Sequence, residues 1–275
     1  MLVPELCSQL FCRLSSLASI KMVGKIMKIE EASAQLSWIS KLIADGGVIA
    51  LPTDTLYGVA CSVHCTSALE RIWELKGRSF EKPMAICLDK VSSIPCWCDT
   101  QALPPGLLDD LLPGPVTVLL PRLKKDPLNP RLNPGAQLVG VRVPDSGFIM
   151  DLVSALSKIT SDSPSDTVNY SSQSHPLVLT SANLSGAKSA LTVEEFSAIW
   201  PSLDLIVDGG RIHTSEGSDP NSARAGSTIV DLSRAGQKMY SIMRDGNALE
   251  RTVEILEQRY GLHLLTSVTL NGKMC

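Results

Sequence analysis

The sequence predicts an α/β protein: one domain built on a mixed sheet with helices on its flanks. Two observations carry that reading. Short apolar runs such as "GGVIALP", "PVTVLLP", "LVGVRVP" and "GSTIVDLS" are interleaved with stretches of helical period. No linker separates two cores, and nothing repeats at a fixed period. The 275 residues, 44% apolar and 19% charged, are enough to bury a proper core.

Each element follows from its residues. "EEASAQLSWISKLIADGG" reads as a helix, with Leu36, Ile39, Leu42 and Ile43 on one face and Gly46 as its stop. "GGVIALP" is a strand. "SALERIWELKGR" is a helix carrying Leu69, Ile72 and Trp73 on one side, broken at Gly77. "MAICL", "PVTVLLPR" and "LVGVRVP" are strands, the last two joined by the proline-rich, basic loop "LKKDPLNPRLNPGAQ". "GFIMDLVSALSK" is a helix, and "ITSDSPSDTVNYSSQSHP" a polar insertion. "LVLTSANLSG" is a strand and turn. "LTVEEFSAIW" is a helix opened by a Thr192–Glu195 capping box. "LDLIVDGG", "GSTIVDLS" and "YSIMRDG" are strands. "NALERTVEILEQRYG" closes the domain as a helix, with Asn247 as N-cap and Gly261 as stop.

The bulk properties exclude several classes. A net charge of -3 argues against binding nucleic acid through bulk charge. No apolar run reaches the roughly 20 residues of a membrane span. A secretory signal is lacking at the N-terminus, so the eight cysteines read as reduced intracellular thiols. Cys96 and Cys98, and Cys61 and Cys65 around His64, lack the paired C-x-x-C spacing of a zinc site, so no metal is expected on the protein. Residues 1–29 hold one acid, Glu5, against Arg13, Lys21, Lys25 and Lys28, with Leu10, Leu14 and Leu17 on one stripe. They suit either a mitochondrial presequence or a disordered tail. The domain is therefore placed at 30–262, with 263–275 as a tail, in a cytoplasmic protein with a mitochondrial fraction if the presequence operates.

Polar residues gather at strand ends, where α/β sheets assemble ligand sites. Thr53, Asp54 and Thr55 follow one strand. Arg142 sits within another. Ser181 and Asn183 follow "PLVLT". Ser227 and Thr228 open a strand that Arg244 answers at the end of the next. Hydroxyls, amides and arginines together suit a phosphate and a carboxylate. The stripe 69, 72, 73 predicts an inward position at 76, and that position is Lys76. The competing reading is a lysine that snorkels outward at a helix C-terminus. Arg78 and Lys82 follow, making three cations within seven residues. No phosphate-binding P-loop, dinucleotide fingerprint or nucleophile elbow is present, and the four histidines lie scattered without suggesting a triad.

Seven segments, "ALPTDTLYGVAC", "ERIWELKGRSFEKPMAICL", "LLPGPVTVLLP", "VGVRVP", "LTSANLSG", "GSTIVDL" and "IMRDG", stand in order between about Glu30 and Gly246. Together they resemble the YrdC family of threonylcarbamoyl-AMP synthases, in its short animal-type form. The resemblance implies a twisted mixed sheet with a concave, positively lined ligand cavity. It implies synthesis of threonylcarbamoyl-AMP from L-threonine, bicarbonate or CO2, and ATP, with Mg2+ accompanying the ATP and pyrophosphate released. A transferase complex then passes the group to adenosine 37 of tRNAs reading codons that start with A.

Site residues carry over by motif. The resemblance implies Thr53, Thr55, Cys87, Arg142, Leu179 and Ser227 around threonine. It implies Arg78, Lys82, Leu138, Ser181, Asn183, Ser189 and Arg244 around ATP, with Lys76, Arg78 and Lys82 as the catalytic cations. Cys87 stands where many microbial relatives have histidine, and Ser79 where many have proline. The rival reading is a module that contacts double-stranded RNA or tRNA without chemistry. The absence of an aromatic stacking array weakens it.

Overall fold

The computed structural model describes residues 24–77, 83–161, 175–184, 186–212 and 224–265. Its strands are β1 (Lys25–Lys28), β2 (Ile49–Pro52), β3 (Tyr57–Ser62), β4 (Ala85–Cys87), β5 (Val116–Pro121), β6 (Leu138–Arg142), β7 (Leu177–Ser181), β8 (Leu205–Asp208), β9 (Thr228–Asp231), β10 (Met239–Arg244) and β11 (His263–Leu264). They form one sheet in the order β1-β8-β2-β3-β7-β4-β6-β5-β9-β10-β11. Pairing is mixed: β2–β3–β7–β4 and β6–β5 are antiparallel, while β4–β6, β5–β9 and β2–β8 are parallel. The helices are α1 (Ile29–Ala34), α2 (Leu36–Ala44), α3 (Thr66–Lys76), α4 (Leu107–Leu111), α5 (Gly147–Ser161) and α6 (Leu249–Glu254).

Strand alternation decides what each face carries. Val59, Cys61, Ile86, Val118, Val141, Val178 and Val230 point into the larger apolar layer, which α3 closes with Leu69, Ile72 and Trp73. Ile49, Leu51, Ala60, Cys87, Leu177, Leu179 and Leu205 point the other way, under Ile39 and Ile43 of α2 and Leu152 and Leu156 of α5. That second layer takes in none of Thr117, Leu119, Leu138, Arg142 or Ile229, which occupy the same face further along the sheet.

Several expectations need correction. The first helix is two, parted at Gln35. "EEFSAIW" forms a 3₁₀ turn, Glu194–Ser202, interrupted by Phe196 at φ -123°. The capping box does not form, because Glu195 accepts from Leu191 N at 3.0 Å and pairs with Arg224. Asn247 does not cap the closing helix. Ala248 holds the cap position, and its N–H bonds Thr228 Oγ1 at 3.1 Å. The sheet also runs past both expected boundaries. β1 lies within the expected 1–29 extension, paired in parallel with β8, and β11 lies within the expected tail, paired with β10. K-I-M-K buries only Met27, too short an alternation to announce itself. α5 runs on into the polar insertion as far as Ser161, and 162–174 lie outside the described residues.

Candidate active site

The P-T-D-T turn between β2 and β3 is held by its own first hydroxyl. Thr53 Oγ1 accepts from the N–H groups of Thr55 and Leu56, both at 3.1 Å, and donates to Leu56 O at 2.8 Å. That uses its proton and both lone pairs. Thr53 therefore builds the turn through its hydroxyl. Thr55 Oγ1 lies 3.1 Å from Thr53 Oγ1 and accepts from Arg142 Nη1 at 3.4 Å.

Arg142 ends β6 on the face beyond the second apolar layer. Its side chain is 9% exposed, and Nη2 donates to Asp54 Oδ1 at 2.5 Å. Its Nε–H is buried with no acceptor among the described residues. Two strands away, Ser227 Oγ lies 2.8 Å from Thr117 Oγ1 and accepts from Arg244 Nη2 at 2.9 Å. Arg244 also donates to Ser227 O from Nε at 3.0 Å and Nη2 at 2.7 Å.

A β-bulge aims that second arginine. Ile242 pairs with Val230, but Arg244, not Met243, pairs with Ile229. The extra residue returns Arg244 to the face that Thr117 and Arg142 share. Gly246 lets the chain turn back there: a Cβ on it would sit 2.2 Å from Thr228 N. Desolvation first, and the nearby Arg142 charge second, push the Arg244 pKa down. Among the described residues Asp54 pairs with Arg142 alone, and the Arg244 charge is left without a carboxylate. An anionic ligand would relieve that like-charge pair.

A second set forms around α3. Lys76 is 2% exposed, so it continues the buried stripe and does not snorkel. Its Nζ donates to Ser181 O at 2.5 Å and to Asn183 O. Gly77, in the left-handed conformation at φ 55°, ends the helix immediately after it. Asn183 Nδ2 closes the S-A-N turn on Leu184 O at 2.9 Å and Ala187 O at 2.7 Å, while its Oδ1 is buried with no hydrogen-bond partner among the described residues. Ser189 O accepts from Arg224, whose bidentate pair with Glu195 (2.6 and 2.9 Å) holds the Glu195 carboxyl down at about 2. Arg78 and Lys82 lie outside the described residues.

Three expected residues are mainly apolar wall. Cys87 is fully buried opposite Arg142 in the register of β4 and β6, and burial pushes its thiol up to about 12. Leu179 is 6% exposed on β7, and Leu138 is half-buried at the start of β6. Sequence reasoning missed Asp54 as the partner of Arg142, and missed Thr117. For Thr117 a signal existed: in "PVTVLL" it breaks the apolar face opposite Val116 and Val118. Sequence spacing also hid a contact between two histidines. His64 and His175 meet at 4.5 Å between ring centroids, and Ser62 Oγ lies 3.0 Å from His175 Nε2. Among the described residues no group of three His, Cys, Asp or Glu side chains could hold a metal.

The family model Sua5_yciO_yrdC, described as "Telomere recombination", matches residues 41–246. The threonylcarbamoyl-AMP synthase of Homo sapiens is 46% identical over 217 residues, covering 79% of this chain and 69% of that protein. That of Rattus norvegicus is 44% identical over 241 residues, covering 85% and 77%. Sua5 of P. abyssi, solved in complex with L-threonine, superposes with a TM-score of 0.63 at 21% identity, covering 88% of this chain and 62% of that one. The last likeness establishes the shared fold.

Proposed function

Because the chain belongs to the Sua5/YciO/YrdC family, we propose that it is a threonylcarbamoyl-AMP synthase. It joins L-threonine, bicarbonate or CO2, and ATP, and releases pyrophosphate. The product serves threonylcarbamoyl transfer to adenosine 37 of tRNA by a separate transferase complex. One observation carries this reading: the buried Arg142, paired with Asp54 and with an Nε–H unshared among the described residues, lies close enough to Arg244 for the two charges to oppose each other. That excess charge suits the substrate carboxylate.

The roles assigned here are those the resemblance implies. Arg142, Thr55 and Ser227 receive threonine. Ser181, Asn183, Ser189 and Arg244 form the nucleotide side, and Arg78 and Lys82 supply phosphate cations. Lys76 holds the S-A-N turn through its two carbonyls. In the reaction the threonine amine adds to CO2, forming an N–C bond and losing a proton to give a carbamate. A carbamate oxygen then attacks the α-phosphorus as its bond to the β-phosphate bridging oxygen breaks, and pyrophosphate leaves. Mg2+ enters as part of the Mg·ATP substrate. No protein nucleophile is required, in keeping with the inert Cys87 thiol. Fixed positive groups acting on charge that builds at the phosphates supply most of the rate.

Pyrophosphate release by the purified protein tests this. Release should require L-threonine and bicarbonate together; release from ATP alone at the same rate would refute it. The protein is expected in the cytoplasm, with a mitochondrial fraction if residues 1–29 act as a presequence. A fluorescent fusion of that segment decides the point, because diffuse cytosolic signal would reject mitochondrial targeting.

A further inference from the structure

We propose that Asp54 is a positioning residue for Arg142, fixing which edge of the guanidinium meets the substrate carboxylate. The proposal rests on the reading of Arg142 given above. A guanidinium offers five N–H donors in a rigid fork. Here Asp54 Oδ1 takes one from Nη2 at 2.5 Å and Thr55 Oγ1 takes one from Nη1 at 3.4 Å. The Nε–H is left, buried and unshared among the described residues. A carboxylate docking side-on uses the Nε–H and the remaining Nη2–H, the bidentate arrangement arginine favours.

Asp54 is itself fixed. Its second oxygen accepts the backbone N–H of Asp145 at 3.1 Å, in the segment that follows β6, so the carboxylate cannot turn freely. The side chains of Asp54 and Arg142 are 8% and 9% exposed, so water screens their attraction little. Asp54 also opposes one of two neighbouring guanidinium charges. A carboxylate competing with substrate would occupy the Nε edge as well. Asp54 does not, so it supports the ligand and does not mimic it.

The test compares wild type, Asp54→Ala and Asp54→Asn. It measures KM for L-threonine and ATP, kcat, and binding of L-threonine against L-threoninamide, which lacks the carboxylate. Asp54→Ala should raise the threonine KM about tenfold or more, the scale of one charge-assisted hydrogen bond. The ATP KM should stay within about twofold, and discrimination between threonine and threoninamide should shrink by the same factor as threonine binding. Asp54→Asn keeps an oxygen for Nη2 and should restore most of the discrimination. Two outcomes overturn the proposal. If both KM values rise together with a lowered Tm, Asp54 only maintains the fold. If the threonine KM falls, Asp54 competes with substrate. A separate result tests the underlying reading: if Arg142→Ala binds threonine normally and wild type fails to distinguish threoninamide, Arg142 does not hold the carboxylate, whatever Asp54 does.

Discussion

Lys76→Met separates a buried structural amine from a surface one. The methionine keeps most of the stem but leaves the carbonyls of Ser181 and Asn183 without their ammonium donor. A buried acceptor that loses its partner costs about 1–3 kcal/mol, and the variant is spared the desolvation of the amine, which offsets part of the loss. A net destabilisation of about 2 kcal/mol follows. For a domain of this size that lowers Tm by roughly 4–8 °C. The S-A-N turn loses its tether, so turnover should fall by about 10²-fold, comparable to removing one preorganised contact. Differential scanning fluorimetry and the pyrophosphate assay on the same two proteins provide both numbers. Unchanged Tm with turnover within a few-fold of wild type would refute the reasoning. The reading of Lys76 as a phosphate cation, which the resemblance implies, predicts instead that its removal leaves folding unharmed.

Other side chains carry their own predictions. Cys87, with its thiol pushed up to about 12 by burial, should resist N-ethylmaleimide at pH 8 until the protein is unfolded; rapid native labelling at that peptide would contradict its burial. His175 titrates at about 3, lowered by burial first and by His64 second. Its folded pKa lies below the unfolded value near 6.5, so the unfolded chain binds the extra proton. Stability should therefore fall as pH drops from about 6.5 toward 3, by up to about 1.4 kcal/mol per pH unit. His175→Gln should flatten that slope in urea titrations, and an unaltered slope would place the effect elsewhere.

Strand alternation and helical stripes made most of the sheet legible, because each is a local pattern with a fixed period. Lys76 shows the method at its strongest: three apolar neighbours placed it inward, and it is inward. What it bonds was not legible, since backbone carbonyls from residues more than a hundred positions away leave no mark in sequence. Asp54 lay within a motif noticed at once, yet its partner Arg142 is 88 residues on, and only the sheet joins them. Arg244 needed a bulge to reach the open face, and bulges break the period-2 rule used to assign faces. The capping box failed for a related reason, because Arg224 drew Glu195 away from its own turn.

The most direct test is to incubate the protein with Mg·ATP, L-threonine and 13C-bicarbonate and to examine the nucleotide products by mass spectrometry. A 13C-labelled threonylcarbamoyl-AMP should appear only when all three substrates are present. Under subsaturating threonine it should fall about tenfold or more in Arg142→Ala, the loss of one charge-assisted bond to a carboxylate. AMP formed without a labelled adduct, or an adduct whose yield ignores Arg142, would contradict the account.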